Sequence, residues 1–302
     1  MSEIFERLTG LRASRPGAVA EALAARRRRP LVDESGTLFL LAADHPARGI
    51  VKAGEDPRAM ADRGDFLARI VTALERPGVD GLMASPDVVD DLALLGALDD
   101  KVVIGSMNRG GLAGAVFELD DRFTGYTAEA IARANLDGGK MLLRIADDDR
   151  DTLPTITACA AAVDSLAARG LMAMIEPFAS RREGGKVKNI LEPDPAIRAI
   201  GISSALGSSS AYTWLKLPVI PEMERVMAAT TLPTLLLGGD PGADAQKTFE
   251  GWREAMKISQ IRGLVAGRTL LYPHDGDIAA AVDAAAAIVS GGTSPKREAA
   301  VR

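Results

Sequence analysis

The chain has 302 residues, of which 47% are hydrophobic, and its 36 basic and 41 acidic side chains give a net charge of −5. This size and composition fit a single large domain with a sizeable core, and the acidic balance argues against a nucleic-acid partner. No apolar run reaches the roughly 18 residues of a membrane helix, and the first residues lack the apolar core of a signal peptide. We therefore expect a cytoplasmic protein without a nucleic-acid or membrane partner.

Short apolar runs alternate with longer amphipathic ones along most of the chain. Residues 1–36 are predicted to form an N-terminal helical extension, 37–290 the catalytic domain and 291–302 a disordered tail. Eight apolar runs in the middle segment are predicted strands: 38–44, 81–85, 102–106, 140–145, 171–177, 212–218, 233–239 and 263–268.

The alternation of strands and helices predicts an α/β protein with a parallel sheet and right-handed crossovers. Eight units in about 250 residues match the size of a (β/α)8 TIM barrel, here as a single domain. A doubly wound sheet is the alternative, but it would normally have a glycine-rich turn after its first strand. The first strand here ends in "AADHPARG", without that turn.

In a barrel of this kind the active site lies at the carboxyl ends of the strands. The residues at those ends are therefore the first candidates for function. They are polar or glycine: Asp44 and His45, Asn108 and Arg109, Lys140 and Arg144, Glu176, Lys216, Gly238 and Gly239, and Gly267 and Arg268.

Lys216 lies within the apolar run "AYTWLKLPV", where a charged group is costly. It could extend its amine to solvent from the strand end. The functional interpretation is a nucleophile, because burial or a neighbouring cation lowers the pKa of a lysine from about 10.4 and frees its neutral amine. Lys140, two strands away in barrel order, is a candidate for that cation and for an oxyanion ligand.

Two carboxylates accompany the lysines. Glu176 lies on the strand between them and is suited to proton transfer, although a core salt bridge to Lys140 would also explain it. Asp44 could orient a lysine or a substrate hydroxyl, or simply cap the following turn.

Glycines end two successive strands, as the pair Gly238 and Gly239 in "LLLGGDPGAD" and as the single Gly267 in "LVAGRTL". Glycine lets backbone N–H groups approach a ligand closely, and the loops after strands 7 and 8 are the recurrent phosphate site of this fold. We therefore predict a phosphate site at Gly238, Gly239 and Gly267, with Arg268 and Arg144 adding charge-assisted hydrogen bonds. The alternative is that these glycines only form tight turns.

The chain contains two histidines, His45 and His274, and one cysteine, Cys159. Zinc sites in proteins usually use several such ligands. We therefore predict no metal and no cofactor.

Four of these motifs resemble those of the class I (Schiff-base) aldolases that include tagatose-bisphosphate, sulfofructose-phosphate and deoxyribose-phosphate aldolases. They are "LAAD", "GGKMLLRIADD", "LMAMIEPF" and "WLKLPV", in that order over residues 36–290. The resemblance implies that Lys216 forms the imine, Glu176 transfers protons, Lys140 binds an oxyanion or hydroxyl, and Asp44 contacts the lysine or substrate. The segment "DHPARG" and the basic segment at 179–189 depart from that pattern.

These observations predict a class I aldolase that cleaves a ketose phosphate or phosphorylated keto sugar acid, in sugar-acid or inositol catabolism, and that forms a homo-oligomer. Two alternatives stay open at this point. One is a phosphosugar isomerase or epimerase that uses Glu176 as its base without a covalent lysine. The other is a barrel that binds a phosphosugar without turning it over.

Overall fold

A computed structural model describes residues 2–240 and 245–291. It contains one closed barrel of eight parallel strands, so the predicted (β/α)8 TIM barrel is confirmed. The barrel strands are β1 (Leu38–Ala43), β2 (Gly81–Ala84), β3 (Val102–Ser106), β4 (Gly138–Ile145), β5 (Met172–Glu183), β7 (Thr213–Leu217), β8 (Thr234–Leu237) and β9 (Ile261–Ala266).

Each barrel strand pairs in parallel with its neighbours in chain order, and β1 pairs with β9 to close the ring. The remaining strand, β6 (Lys186–Asn189), lies outside the ring and pairs antiparallel with the end of β5. The helices are α1 (Ser2–Ser14), α2 (Ala18–Ala25), α3 (Arg63–Leu74), α4 (Pro86–Leu94), α5 (Ala128–Arg133), α6 (Thr152–Ala167), α7 (Pro193–Ser204), α8 (Met223–Met227), α9 (Ala245–Ala255), α10 (Arg268–Leu271) and α11 (Ile278–Gly291).

The outer helices form because their apolar residues recur on one face. In α3, for example, Phe66, Ile70 and Leu74 recur about every four residues and are buried against the barrel. The side chain of Asp62 accepts a hydrogen bond from the backbone N–H of Asp65 and so caps the first turn. Residues of this layer form the larger of the two hydrophobic clusters.

The interior of the barrel is filled by a second, smaller apolar cluster. Because side chains alternate along a strand, every second residue points inward. The cluster consists of Leu38, Leu40, Ala42, Met83, Val102, Ile104, Met172, Met174, Leu235 and Val265, with Leu31, Val32 and Trp214 packed against it. The interior is therefore solid at the lower end, where the strands begin, and functional side chains are confined to the upper end.

The segment that follows α2 is fastened to the lower end by the arginines of "ARRRRP". Arg26 is buried and donates to the carbonyl oxygens of Lys101 and Asn135, at 2.6 and 2.5 Å, and pairs with Asp137. Arg29 pairs with Asp80. These contacts hold the segment that carries Leu31 and Val32 against the interior cluster.

The basic segment 179–189 forms a hairpin, made of the end of β5 and of β6. Gly184 and Gly185 have φ values of 57° and 78° and connect β5 to β6, with Glu183 opposite Lys186. Two successive residues with positive φ are what a type I′ hairpin turn requires, and paired glycines meet that need. The hairpin projects above the upper end of the barrel because β5 runs on past its parallel neighbours.

The tail predicted for 291–302 lies outside the described residues except for Gly291, which ends α11. Within the described ranges, no helix is long and apolar enough to cross a membrane.

Candidate active site

Three neighbouring strands bring Lys140, Glu176 and Lys216 together inside the upper end of the barrel. On β4 and β5, Leu142 is level with Glu176, and β5 is paired with β7 just below Lys216. Glu176 Oε1 lies 2.8 Å from Lys216 Nζ, and its Oε2 forms an ion pair with Lys140 Nζ. One carboxylate is thus shared between two lysine ammonium groups.

Asp44, at the end of β1, extends this cluster on the other side. Its Oδ2 lies 3.6 Å from Lys140 Nζ, accepts a hydrogen bond from Ser106 Oγ at 2.8 Å and forms an ion pair with Arg109. Burial lowers the pKa of Arg109 to about 10. The result is a continuous buried line of charges from Lys216 to Arg109.

The pKa values of this cluster move away from their ordinary ranges. Burial lowers the pKa of Lys216, and among the neighbouring cations Arg109 and Arg268 lower it further. Burial also lowers the pKa of Lys140, to well below its ordinary value. For Glu176, burial alone would raise the pKa, but the charges of the two lysines and of Arg109 lower it well below its usual range. Arg109 and Arg268 are thus among the cations that lower the pKa of Lys216, and the role of Lys140 as such a cation stays a prediction.

A cavity of about 960 Å³ opens above these groups. Lys216 and Glu176 line it, whereas Lys140 is fully buried behind them and does not. A substrate carbonyl in the cavity can therefore meet the amine of Lys216 but not that of Lys140.

Arg144 also lines the cavity, yet its guanidinium is held by the loop after β3. It donates from Nε and Nη2 to the two carboxylate oxygens of Asp121, each at 2.8 Å, and pairs with Glu118 at 3.3 Å. Its role as a phosphate ligand stays a prediction, and the contacts show that it also anchors this loop.

The glycines at the ends of β8 and β9 line another part of the cavity wall. A Cβ on Gly267 would stand 2.2 Å from the carbonyl oxygen of Ala42, so only glycine fits this close approach. Gly239 has φ +72°, and no atom of the described residues lies within 4 Å of the position that a Cβ on it would occupy, while the hydroxyl of Thr269 donates to the carbonyl of Gly238. Arg268 pairs with Asp240 at 2.8 Å, and its buried Nε has no hydrogen-bond partner among the described residues.

Several groups around the cavity carried no role in the sequence reasoning. Arg48 lies beside Glu118, and burial followed by the charge of Arg144 lowers its pKa. Val187 and Asn189 of the hairpin form part of one wall. The Gly-Gly turn was the available signal for the hairpin, whereas no signal in the sequence distinguishes Arg48 from other surface arginines.

His45 lines the cavity as well, next to Asp44. Burial, together with the charges of Arg268 and Lys216, lowers its pKa well below its ordinary value. Its imidazole is therefore neutral at neutral pH. Among residues 2–240 and 245–291, no three His, Cys, Asp or Glu side chains converge to hold a metal ion.

The chain and its barrel match a known protein family and known structures. A family model described as Cgl0159-like matches residues 36–286, and the chain belongs to the Cgl0159-like family. The crystal structure of Cgl0159 from Corynebacterium glutamicum is 52% identical in sequence, with 97% of this chain and 99% of that chain covered and a TM-score of 0.94. No curated protein matches the sequence.

Class I aldolases share the fold at much lower identity. An archaeal fructose 1,6-bisphosphate aldolase is 16% identical over 90% of this chain and 99% of that chain, with a TM-score of 0.63. Another, with its catalytic lysine covalently bound to the carbinolamine intermediate of its substrate, is 17% identical over 90% and 100%, with a TM-score of 0.61. At such identities the likeness establishes the common barrel.

Proposed function

We propose that the protein is a class I aldolase that cleaves a phosphorylated ketose or keto sugar acid through an imine on Lys216. The observation that carries this proposal is the sharing of Glu176 between two buried lysines, of which Lys216 alone lines the cavity. An amine attacks a carbonyl only in its neutral form. The lowered pKa of Lys216 supplies that form closer to neutral pH than a free lysine does.

The reaction begins when the lone pair of Lys216 Nζ adds to the substrate carbonyl carbon and forms a carbinolamine. Glu176, 2.8 Å from Nζ, is placed to move protons between the nitrogen and the carbinolamine oxygen, which leaves as water. The resulting iminium withdraws the electron pair of the neighbouring carbon–carbon bond when the hydroxyl on the next carbon loses its proton. An aldehyde departs, the enamine is protonated, and water hydrolyses the new iminium to release the second product.

The supporting residues have separate tasks in this proposal. Lys140 keeps Glu176 ionised. Together with Asp44 it forms the polar group of side chains at the bottom of the cavity. The part of the wall formed by Gly238, Gly239, Gly267 and Arg268 is suited to a phosphate group, because glycine backbone and the guanidinium of Arg268 line the same cavity.

The isomerase or epimerase alternative is less consistent with the site. Such an enzyme needs a carboxylate basic enough to remove a proton from carbon. The two lysines and Arg109 hold the pKa of Glu176 well below its usual range, although burial opposes them. Glu176 is thus a weaker base than a free carboxylate, and the charges that weaken it are those of Lys140, Lys216 and Arg109.

Borohydride trapping tests the proposal. The protein is incubated with dihydroxyacetone phosphate or, separately, with pyruvate in the presence of borohydride, and the labelled peptide is identified by mass spectrometry. We expect the added mass on Lys216. A label on Lys140 would reverse the roles of the two lysines, and the absence of any label with both carbonyls and a wider panel of ketose phosphates would refute the imine mechanism.

A further inference from the structure

The cleavage step needs a group that accepts the hydroxyl proton, and the cavity offers few candidates. Lys216 is occupied as the iminium, Lys140 does not line the cavity, and arginine does not release its proton in proteins. The carboxylates nearest the cluster are committed: Glu176 to the two lysines, and Asp44 to Ser106 and Arg109.

The remaining carboxylates of the cavity wall are also paired or remote from the reacting centre. Glu118 binds Arg144 and Arg48. Glu250 and Glu254 lie on the exposed rim formed by α9, where they contact Gln246 and Lys257. His45 alone combines a lone pair at neutral pH with a side chain that has no hydrogen-bond partner in the described part of the chain.

The backbone fixes His45 in this place. Its carbonyl oxygen accepts hydrogen bonds from the backbone N–H groups of Arg48 and Ile50, at 3.0 and 3.3 Å, in the turn that follows β1. The imidazole packs on the end of β9, with Cε1 3.1 Å from the position that a Cβ on Gly267 would occupy. The ring is therefore held against the cavity wall by the close approach that only glycine permits.

We infer that His45 is the catalytic residue that carries the proton between the substrate hydroxyl and the enamine carbon. This inference rests on the proposed function. The hydroxyl proton moves to an imidazole nitrogen, the O–H electron pair becomes the carbonyl π bond of the departing aldehyde, and the pair of the broken carbon–carbon bond enters the enamine. The imidazolium then returns the same proton to the enamine carbon, which leaves the iminium for hydrolysis and His45 neutral.

The charged groups that face the ring suit this cycle. Arg268 on α10, Lys216 on β7 and Lys140 on β4 disfavour a lasting imidazolium, while Glu176 on β5 favours it. Asp44 adjoins His45 in the chain but is bound to Ser106 and Arg109. At the enamine stage the nitrogen of Lys216 carries no charge, so Arg268 and Lys140 are the cations that drive His45 to give its proton back, as the second half of the reaction requires.

The reverse half-reaction gives a test that does not depend on knowing the full substrate. With dihydroxyacetone phosphate or pyruvate bound as the iminium, a base must remove a proton from the adjacent carbon, and in D2O this exchanges that hydrogen for deuterium. In the parent protein we expect both borohydride labelling of Lys216 and deuterium exchange, followed by NMR. In His45→Asn we expect labelling to persist and exchange to slow by about 10²–10⁴-fold, the range of general acid–base catalysis.

His274→Asn is the matched control, because His274 is exposed and does not line the cavity. It should keep both labelling and exchange. His45→Gln repeats the test with a longer amide, and circular dichroism checks that each variant is folded. Exchange at the parental rate in a labelled His45 variant would overturn the inference while leaving the aldolase proposal intact. Loss of labelling in both folded variants would assign His45 to imine formation instead, which also overturns it. An unlabelled parent would refute both proposals.

Discussion

At the lower end of the barrel, the buried cation Arg26 faces the buried anion Asp137 and also donates to two carbonyl oxygens. At the upper end, three buried cations share two carboxylates, Glu176 and Asp44. The buried groups of the lower network are thus balanced in charge, with the exposed Arg28 as a second partner of Asp137, whereas the upper network carries one more positive charge than negative when all its groups are ionised.

The type of cation decides what each network does. Arginine keeps its proton and presents a fixed set of donors, so the lower network acts as a permanent fastening. Lysine loses its proton readily when buried. The excess charge at the upper end is therefore relieved by a neutral lysine amine, which is the form that reacts with a carbonyl. Similar buried ion pairs thus stabilise the fold at one end and prepare a nucleophile at the other.

The largest effect is expected from Lys216→Met at the upper end. The variant should lose borohydride labelling and all carbon–carbon bond cleavage, because the other lysine that lines the cavity in the described part of the chain, Lys247, lies exposed on α9. Its fold should persist, since Glu176 keeps its ion pair with Lys140. Mass spectrometry checks the loss of labelling and circular dichroism checks the fold. Labelling that continued at another lysine would contradict the role of Lys216 as the nucleophile of the upper end.

The corresponding change at the lower end is Arg26→Met. It leaves the buried Asp137 paired only with the exposed Arg28, at 2.7 Å, and removes the donors to Lys101 and Asn135. Removing one partner of a buried pair costs about 3–5 kcal/mol, and because Arg28 still neutralises Asp137, denaturant unfolding should show a loss near the lower end of that range. Lys216 should still be labelled. A loss of stability below about 1 kcal/mol would mean that the lower arginines contribute no more than surface ion pairs do.

An intermediate effect on substrate affinity is expected at the proposed phosphate site formed by Gly238, Gly239, Gly267 and Arg268. Arg268→Met removes a guanidinium from the space next to Gly239 and Gly267, and the apparent affinity for dihydroxyacetone phosphate should fall at least about tenfold, or 1.4 kcal/mol. The affinity for unphosphorylated dihydroxyacetone should change little. Gly239→Val is a weaker probe, because its φ of +72° would strain a β-branched residue whatever the ligand. An equal loss of affinity for dihydroxyacetone phosphate and for dihydroxyacetone would contradict the proposed phosphate site.

A smaller effect concerns pH. Lys216 reacts as the free amine, so the rate of labelling by neutral dihydroxyacetone should rise with pH through a pKa below the ordinary value of about 10.4. Arg268 is one of the cations that lower this pKa, and Arg268→Met should shift the profile to higher pH. Arg262→Met, on the exposed side of β9, serves as the control. A profile that moved to lower pH would contradict the assigned electrostatics.

The smallest effect is expected from chelation. The iminium itself accepts the electrons of the broken bond, so labelling of Lys216 and turnover should survive prolonged treatment with EDTA. Activity that disappeared with EDTA and returned with zinc would show that a metal performs this task.

The secondary structure followed from local patterns. Runs such as "LFLLAAD" and "LMAMIEP" identify buried strands, and the amphipathic stretches between them identify helices, because side-chain periodicity is a property of neighbouring residues. The hairpin was missed although Gly184 and Gly185 signalled it. From sequence the segment is interpreted only as basic, whereas its paired glycines indicate the turn.

The sequence by itself determined the barrel and the set of candidate residues, since strand ends at one rim of a parallel barrel must meet. Only the tertiary structure decided which of those residues touch. Inward side chains of β4, β5 and β7 place Glu176 between two lysines, and the depth of each position leaves Lys216 facing the cavity and Lys140 behind it. In the folded chain the charges of Arg109 and Arg268 also lower the pKa of Lys216, and the side chain of His45 has no hydrogen-bond partner among the described residues. Distance, burial and pairing arise between residues far apart in the chain, and local patterns do not contain them.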